Sequence, residues 1–173
     1  MKKKMDWYTA LWLLCLAAIF FLFGRLSADM TLLVNAGQVA PVQHNYNSIC
    51  EEVGAQYNIC PELLEAMIEQ ESGGNTDAVS AGGDTGLMQV NPKWHRDRMD
   101  RLGVTDLTDP YSNVLTAADY IAELAAKYDD LPMTLMVYNG TADAKERWTN
   151  GDFTDYANQI MQRTAELERK HGK

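Results

Sequence analysis

Glu71 is the residue whose type and spacing best suit it to move a proton. It closes the stretch Pro61-Glu-Leu-Leu-Glu-Ala-Met-Ile-Glu-Gln-Glu71, which Pro61 opens at a favourable first helical position and Gly73-Gly74 ends. A helical wheel at about 100° per residue gathers Glu62, Glu65 and Glu69 on one side, where acids meet solvent. Leu64, Met67 and Ile68 precede Glu71 by seven, four and three residues, so they share its face. The Glu71 carboxyl then lies in an apolar stripe and in the last turn, where the helix dipole disfavours negative charge. Both effects raise its proton affinity, as a general acid requires. The plain alternative is a helix that frays at Gly73 and turns Glu71 to water. The chain just beyond it bears on that choice.

Within twenty residues come Ser80, Gly82-Gly83 and then Gly86-Leu-Met-Gln-Val-Asn-Pro92. The glycines permit a close backbone turn, and Gln89 brings an uncharged amide suited to sugar hydroxyls or acetamido groups. Other reactive residue types offer less. His44, His95 and His171 have no metal-ligand spacing, and neither Cys50 nor Cys60 has a nearby histidine to make it a nucleophile. No metal and no cofactor is implied. Cys50 and Cys60, ten residues apart, read either as a bridge between two helix starts or as two partly buried thiols.

Glu71-Ser72, six residues, Val79-Ser80, then Gly83 and Gly86-Leu87-Met88-Gln89 resemble the signature of the soluble-lytic-transglycosylase-like, goose-lysozyme-related wall hydrolases. Downstream, Asp109-Pro110 with Asn113, and Val137-Tyr138-Asn139-Gly140, are similar to that family's later motifs, in the same order. The resemblance runs from roughly Ile49 to Ile160. It implies a lysozyme-like, α-rich fold that cuts the MurNAc–GlcNAc β-1,4 bond of peptidoglycan glycan strands. By the same resemblance Glu71 is the catalytic acid, and Gln89 and Tyr138 line the substrate groove. Ser80 and Asn139 match motif positions as substrate-binding candidates, with turn-forming and helix-capping as their structural alternatives. Met88 reads as a groove wall or as core. Asp84 replaces the small residue the family commonly carries between Gly83 and Gly86.

Three activities stay open at this level. A lytic transglycosylase needs one carboxyl as acid and then base. A hydrolase of the same bond needs a second carboxylate, for which Asp84 is the candidate and Asp77 the other loop acid. An inactive glycan-binding assembly protein would keep the groove and lose the chemistry, and the intact Glu71 argues against it. Small single-domain members of the family often serve secretion or conjugation machines, which the resemblance makes candidate partners.

The elements that must position these residues read as mainly α. The sequence predicts helices over 48–57 and 61–72, one opened by Asn91-Pro92 and closed by Gly103, and another over 113–128. That last one carries Val114, Ala117, Ala118, Ile121, Leu124, Ala125 and Tyr128 as a core-facing stripe. A short apolar helix follows over 133–138. Thr154 caps a final helix with Tyr156, Ile160 and Leu167 on one face, and only residues 85–90 offer a small strand. The expected architecture is a single compact helical domain over 48–167, α+β of the lysozyme type with at most a very small β element, and a tail over 168–173.

The chain has 173 residues and a net charge of −9, with 46% hydrophobic and 23% charged residues, which excludes wholesale disorder. Residues 1–25 carry +3 and the remainder −12, so no basic stripe for nucleic acid exists. Trp7 to Phe23 is a 17-residue run without charge, preceded by three lysines, and as a helix would span roughly 25 Å. Such a run exceeds the apolar region of about 7–15 residues in a signal peptide, and Leu26-Ser27-Ala28 is a poor cleavage site. Residues 1–25 therefore read as a single-pass membrane anchor with the lysines inside, a cleaved leader being the alternative. Cys15 in this run acts as a small hydrophobe or a lipidation site. Residues 26–47 read as a tether of up to about 70 Å outside the membrane.

Overall fold

Residues 46–173 are described by a computed structural model. The anchor expected at 1–25 and nearly all of the tether expected at 26–47 lie outside the described residues. Among the described residues the chain forms seven helices: α1 (Asn47–Tyr57), α2 (Pro61–Ser72), α3 (Arg96–Leu102), α4 (Pro110–Tyr128), α5 (Leu131–Tyr138), α6 (Ala144–Asn150) and α7 (Asp155–Lys170). None of them is long and apolar enough to cross a membrane. Among the described residues the β content is two isolated antiparallel bridges, Val79 to Thr85 and Thr85 to Val90, where the sequence predicts a small strand.

Helix α2 forms where Pro61 pre-sets the first turn, and it stops where Gly73 enters the left-handed region at φ 61°. Its apolar face, Leu64, Met67 and Ile68, is buried in the core. It packs against α1 on one side and α7 on the other, while α5 touches α4, α6 and α7. Helix α5 is buried at Met133, Thr134, Leu135 and Met136, successive positions that point all round the axis.

Helix boundaries depart from the sequence reading where side chains cap. Asp109 accepts from the Ser112 backbone N–H at 2.8 Å with Pro110 in the first turn, so α4 begins three residues before Asn113. Asn91 folds back onto the Lys93 N–H at 3.0 Å, making residues 91–95 a turn and delaying α3 to Arg96. Helix α6 has only Ala144 buried, so no apolar period announced it. Thr154 does cap α7, accepting from Ala157 N–H at 3.3 Å.

The wheel misplaced Glu62. It is 1% exposed rather than solvent-facing. The end of α7 and the residues after it cover the first turn of α2, a tertiary fact that helical spacing does not encode. His171 Nδ1 and Lys173 Nζ lie 3.0 and 2.8 Å from Glu62 Oε1, and the Cys60 thiol donates to Oε2 at 2.9 Å. Burial raises the proton affinity of Glu62, but the bonds from Cys60, Lys173 and His171 outweigh it and hold the carboxyl down at about 2. Cys50 and Cys60 are free thiols, and burial pushes the Cys50 thiol up to about 12.

Candidate active site

Glu71 sits in the last turn of α2, half-buried, at a groove of about 630 Å³. Asp84, Gln89, Asn91, Tyr138 and Asn139 line the same groove. The Tyr156 hydroxyl, brought by the first turn of α7, donates to Glu71 Oε1. Burial raises the proton affinity of Glu71; the Tyr156 bond opposes this and the Asp84 charge adds to it, leaving the carboxyl above its ordinary range. A carboxyl so placed keeps its proton to higher pH than an exposed one, as a general acid in a cleft requires.

The loop opposite α2 in sequence is held by one buried amide. Asn113, with no exposed surface, accepts from Met88 N–H at 2.8 Å and donates to Thr85 O and Leu107 O, each at 2.8 Å. Gly86 makes that closeness possible. Its φ is +77°, and a Cβ there would strike the Asn113 side chain and the Leu107 carbonyl. Gln89 also adopts a positive φ, 46°, uncommon without glycine. Its Nε2 donates to Gly86 O at 2.9 Å and Ala78 O at 3.3 Å, so the amide nitrogen braces the loop and the amide oxygen is what remains to meet a ligand.

Of the six site residues expected from sequence, Glu71, Gln89, Tyr138 and Asn139 share the groove. The other two do not line it. Met88 is 0% exposed, because Asn113 pins its backbone inward and its side chain fills core. It contributes instead a carbonyl that accepts from the Tyr138 hydroxyl at 2.8 Å. Ser80 is a turn residue: its Oγ donates to Asp84 Oδ2 at 2.7 Å and accepts from the Gly82 and Asp84 N–H groups at 3.1 Å. Ser80 thus acts on the groove through Asp84, which also accepts from Asn91 Nδ2 at 2.8 Å.

Tyr138 titrates well above the usual phenol range, by burial first and then by the charges of Glu71, Tyr120 and Asp84. It is a fixed neutral donor. Sequence reasoning passed over Tyr156, read only as part of an apolar face, and Trp94, His95, Arg98, Tyr120 and Glu123, which extend the groove. Burial and the neighbouring Arg98 charge lower the proton affinity of His95. Among the described residues, Cys60, Glu62 and Glu168 bring ligand-type atoms within 4.8 Å of one another, but none of them lines the groove.

The chain is similar to known proteins in both fold and sequence. The chain is similar in fold to an inactive variant of the lytic transglycosylase Slt from Pseudomonas aeruginosa (18% identity, TM-score 0.64, covering 86% of this chain and 30% of that one). It is likewise similar to the 70 kDa soluble lytic transglycosylase from Escherichia coli (18% identity, TM-score 0.64, 74% of this chain and 25% of that one). In sequence it is 36% identical over 86 residues to a transglycosylase of Enterobacteria phage PRD1, spanning 50% of this chain and 31% of that protein. It is 39% identical over 83 residues to an endo-type membrane-bound lytic murein transglycosylase A of Klebsiella pneumoniae, spanning 44% of this chain and 41% of that protein. The chain thus spans less than half the length of these curated relatives. The described family of transglycosylase SLT domains matches residues 48–161, most of the chain and all of the groove described above. The chain belongs to the transglycosylase SLT domain family.

Proposed function

We propose that this protein is a peptidoglycan lytic transglycosylase that cleaves the MurNAc–GlcNAc β-1,4 bond. The observation that carries the reading is Glu71: one carboxyl of raised proton affinity, in a groove and fixed by a tyrosine hydroxyl. Protonated Glu71 donates to the glycosidic oxygen as the bond to the muramoyl anomeric carbon breaks. The carboxylate left behind takes the proton of that sugar's own 6-hydroxyl, whose oxygen bonds to the anomeric carbon. A 1,6-anhydro ring forms and no water is consumed. Tyr156 steadies the carboxylate in the interval between the two proton transfers. Gln89 and Asn139 meet the sugars, while Tyr138 shapes the groove between them.

A hydrolytic outcome on the same bond is the second reading, favoured by one observation: Asp84 shares the groove with Glu71. Its hydrogen bonds to Ser80 and Asn91 occupy both of its oxygens, which leaves it less suited to activate water. End-group analysis separates the two, with anhydro ends for transglycosylation and reducing ends for hydrolysis. Glu71→Gln should lower wall digestion by at least about a hundredfold without loss of folding. Near-wild-type digestion by that variant would remove the assignment.

In the cell, the reading is of an enzyme held to the outer face of the membrane by residues 1–25 and a tether over 26–47, opening wall locally around a secretion or conjugation apparatus. The +3 charge of residues 1–25 and the uncharged run from Trp7 to Phe23 support the anchor. Recovery of a native chain beginning near Asp29, free of membranes, would replace the anchor by a cleaved leader.

A further inference from the structure

Trp94 is the most open large apolar side chain among the described residues, 82% exposed, yet it lines the groove that holds Glu71. Its backbone is firmly held. Asn91 O accepts from Trp94 N–H at 3.2 Å and His95 N–H at 3.1 Å, and Asn91 Nδ2 ties the turn to Asp84 at 2.8 Å. A fixed turn that presents an indole to water gives up its burial energy, and has little backbone mobility to lose on binding.

The neighbouring wall is aromatic. Tyr138 and Tyr120 have ring centroids 5.7 Å apart, and Tyr120 and His95 lie 4.6 Å apart. This ladder leads from Tyr138, whose titration feels the Glu71 charge, to His95, and Trp94 is the next residue in the chain. The lining also carries polar side chains, among them Asp84, Gln89 and Asn91. A pyranose ring has the matching character: C–H groups on its faces, which rest on an aromatic ring, and hydroxyls at its edge, which need hydrogen bonds.

We infer that Trp94 is a stacking platform for a hexosamine ring of the glycan strand, at a subsite removed from the bond that Glu71 breaks. The inference rests on the glycan-cleaving reading above. A subsite so removed is filled only by longer strands, so affinity rises with strand length, and Trp94 carries that rise.

The test uses the full chain in detergent with Glu71→Gln, so that ligand is not consumed. Peptide-free MurNAc–GlcNAc strands of four and eight sugars are titrated by calorimetry. The eight-sugar strand should bind more tightly. Adding Trp94→Ala should weaken its binding about five- to tenfold and abolish most of the length dependence, while Trp94→Tyr restores most of it. The thermal midpoint should stay with the parent, because so exposed a side chain packs little; a structural role would instead weaken both strands equally and lower that midpoint. Unchanged eight-sugar affinity in Trp94→Ala, with the parent still binding, overturns the subsite and leaves the role of Glu71 standing. Failure of both strands to bind the parent, together with no wall digestion by the wild type, overturns both.

Discussion

Replacing Asn113 should show that the groove hangs on a single buried amide. Asn113→Ala removes three hydrogen bonds of 2.8 Å. The Thr85 carbonyl keeps the Val90 N–H at 3.0 Å, so two groups, Met88 N–H and Leu107 O, lose the partner they had. At about 1–3 kcal/mol for each buried orphan, the loss comes to about 2–6 kcal/mol. A domain stable by about 5–15 kcal/mol survives that, weakened. Urea unfolding followed by circular dichroism should place the midpoint about 1–3 M lower, for a slope of about 2 kcal/mol per M. Asn113→Asp sharpens the test. It keeps an acceptor for Met88 N–H but turns a donor toward two carbonyls into a second acceptor. The introduced carboxyl is therefore favoured neutral, with a folded pKa above its unfolded value near about 3.9. Its stability is fully present below that value and is lost as pH rises through the folded pKa, so the variant should be weaker at pH ~7 than at pH ~4 relative to wild type. A loss under about 1 kcal/mol in Asn113→Ala, or a pH-independent deficit in Asn113→Asp, would refute the reasoning.

Tyr156→Phe removes the hydrogen bond that favours the Glu71 carboxylate, so the alkaline limb of the pH–rate profile should move to higher pH while turnover at its optimum falls. An unmoved limb would mean that Tyr156 does not tune the acid. Glu62 is held at about 2 against an ordinary 4.5, so its contribution to stability is present above pH 4.5 and lost as pH falls toward 2. Thermal melts across that window should show the gap between wild type and Glu62→Gln closing on acidification; a constant gap counts against the contacts with His171 and Lys173.

The placement of Glu71 was legible because its signal is local. Pro61, Gly73 and the spacing of Leu64, Met67 and Ile68 lie within one helix, and the structure buries that face as the spacing predicts. The same wheel failed on Glu62, whose burial comes from residues 109 positions away. Tyr156 was out of reach for a like reason, since its partner is 85 residues distant and a tyrosine on an amphipathic helix looks like core. Met88 shows the limit of motif matching. Its position in the motif was right, but its backbone rather than its side chain faces the work, and only the Asn113 bond reveals that. The start of α4 was misread because Asp109 was taken for part of a motif and not also for a cap.

Helix α7 and the residue after it hold α2 through polar contacts that include Tyr156 on Glu71, Arg163 on Glu69 and His171 on Glu62, across 85, 94 and 109 residues. Contacts so distant along the chain form only after the loop-closure entropy has been overcome, and they come late in folding. During synthesis at about 5–20 residues per second, α7 follows α2 by roughly 4–20 s. Throughout that interval Glu71 is an ordinary carboxyl on an uncovered helix, without its tyrosine and without the burial that raises its proton affinity. The raised proton affinity of Glu71 is thus a property acquired last, after every motif of the groove has already been made.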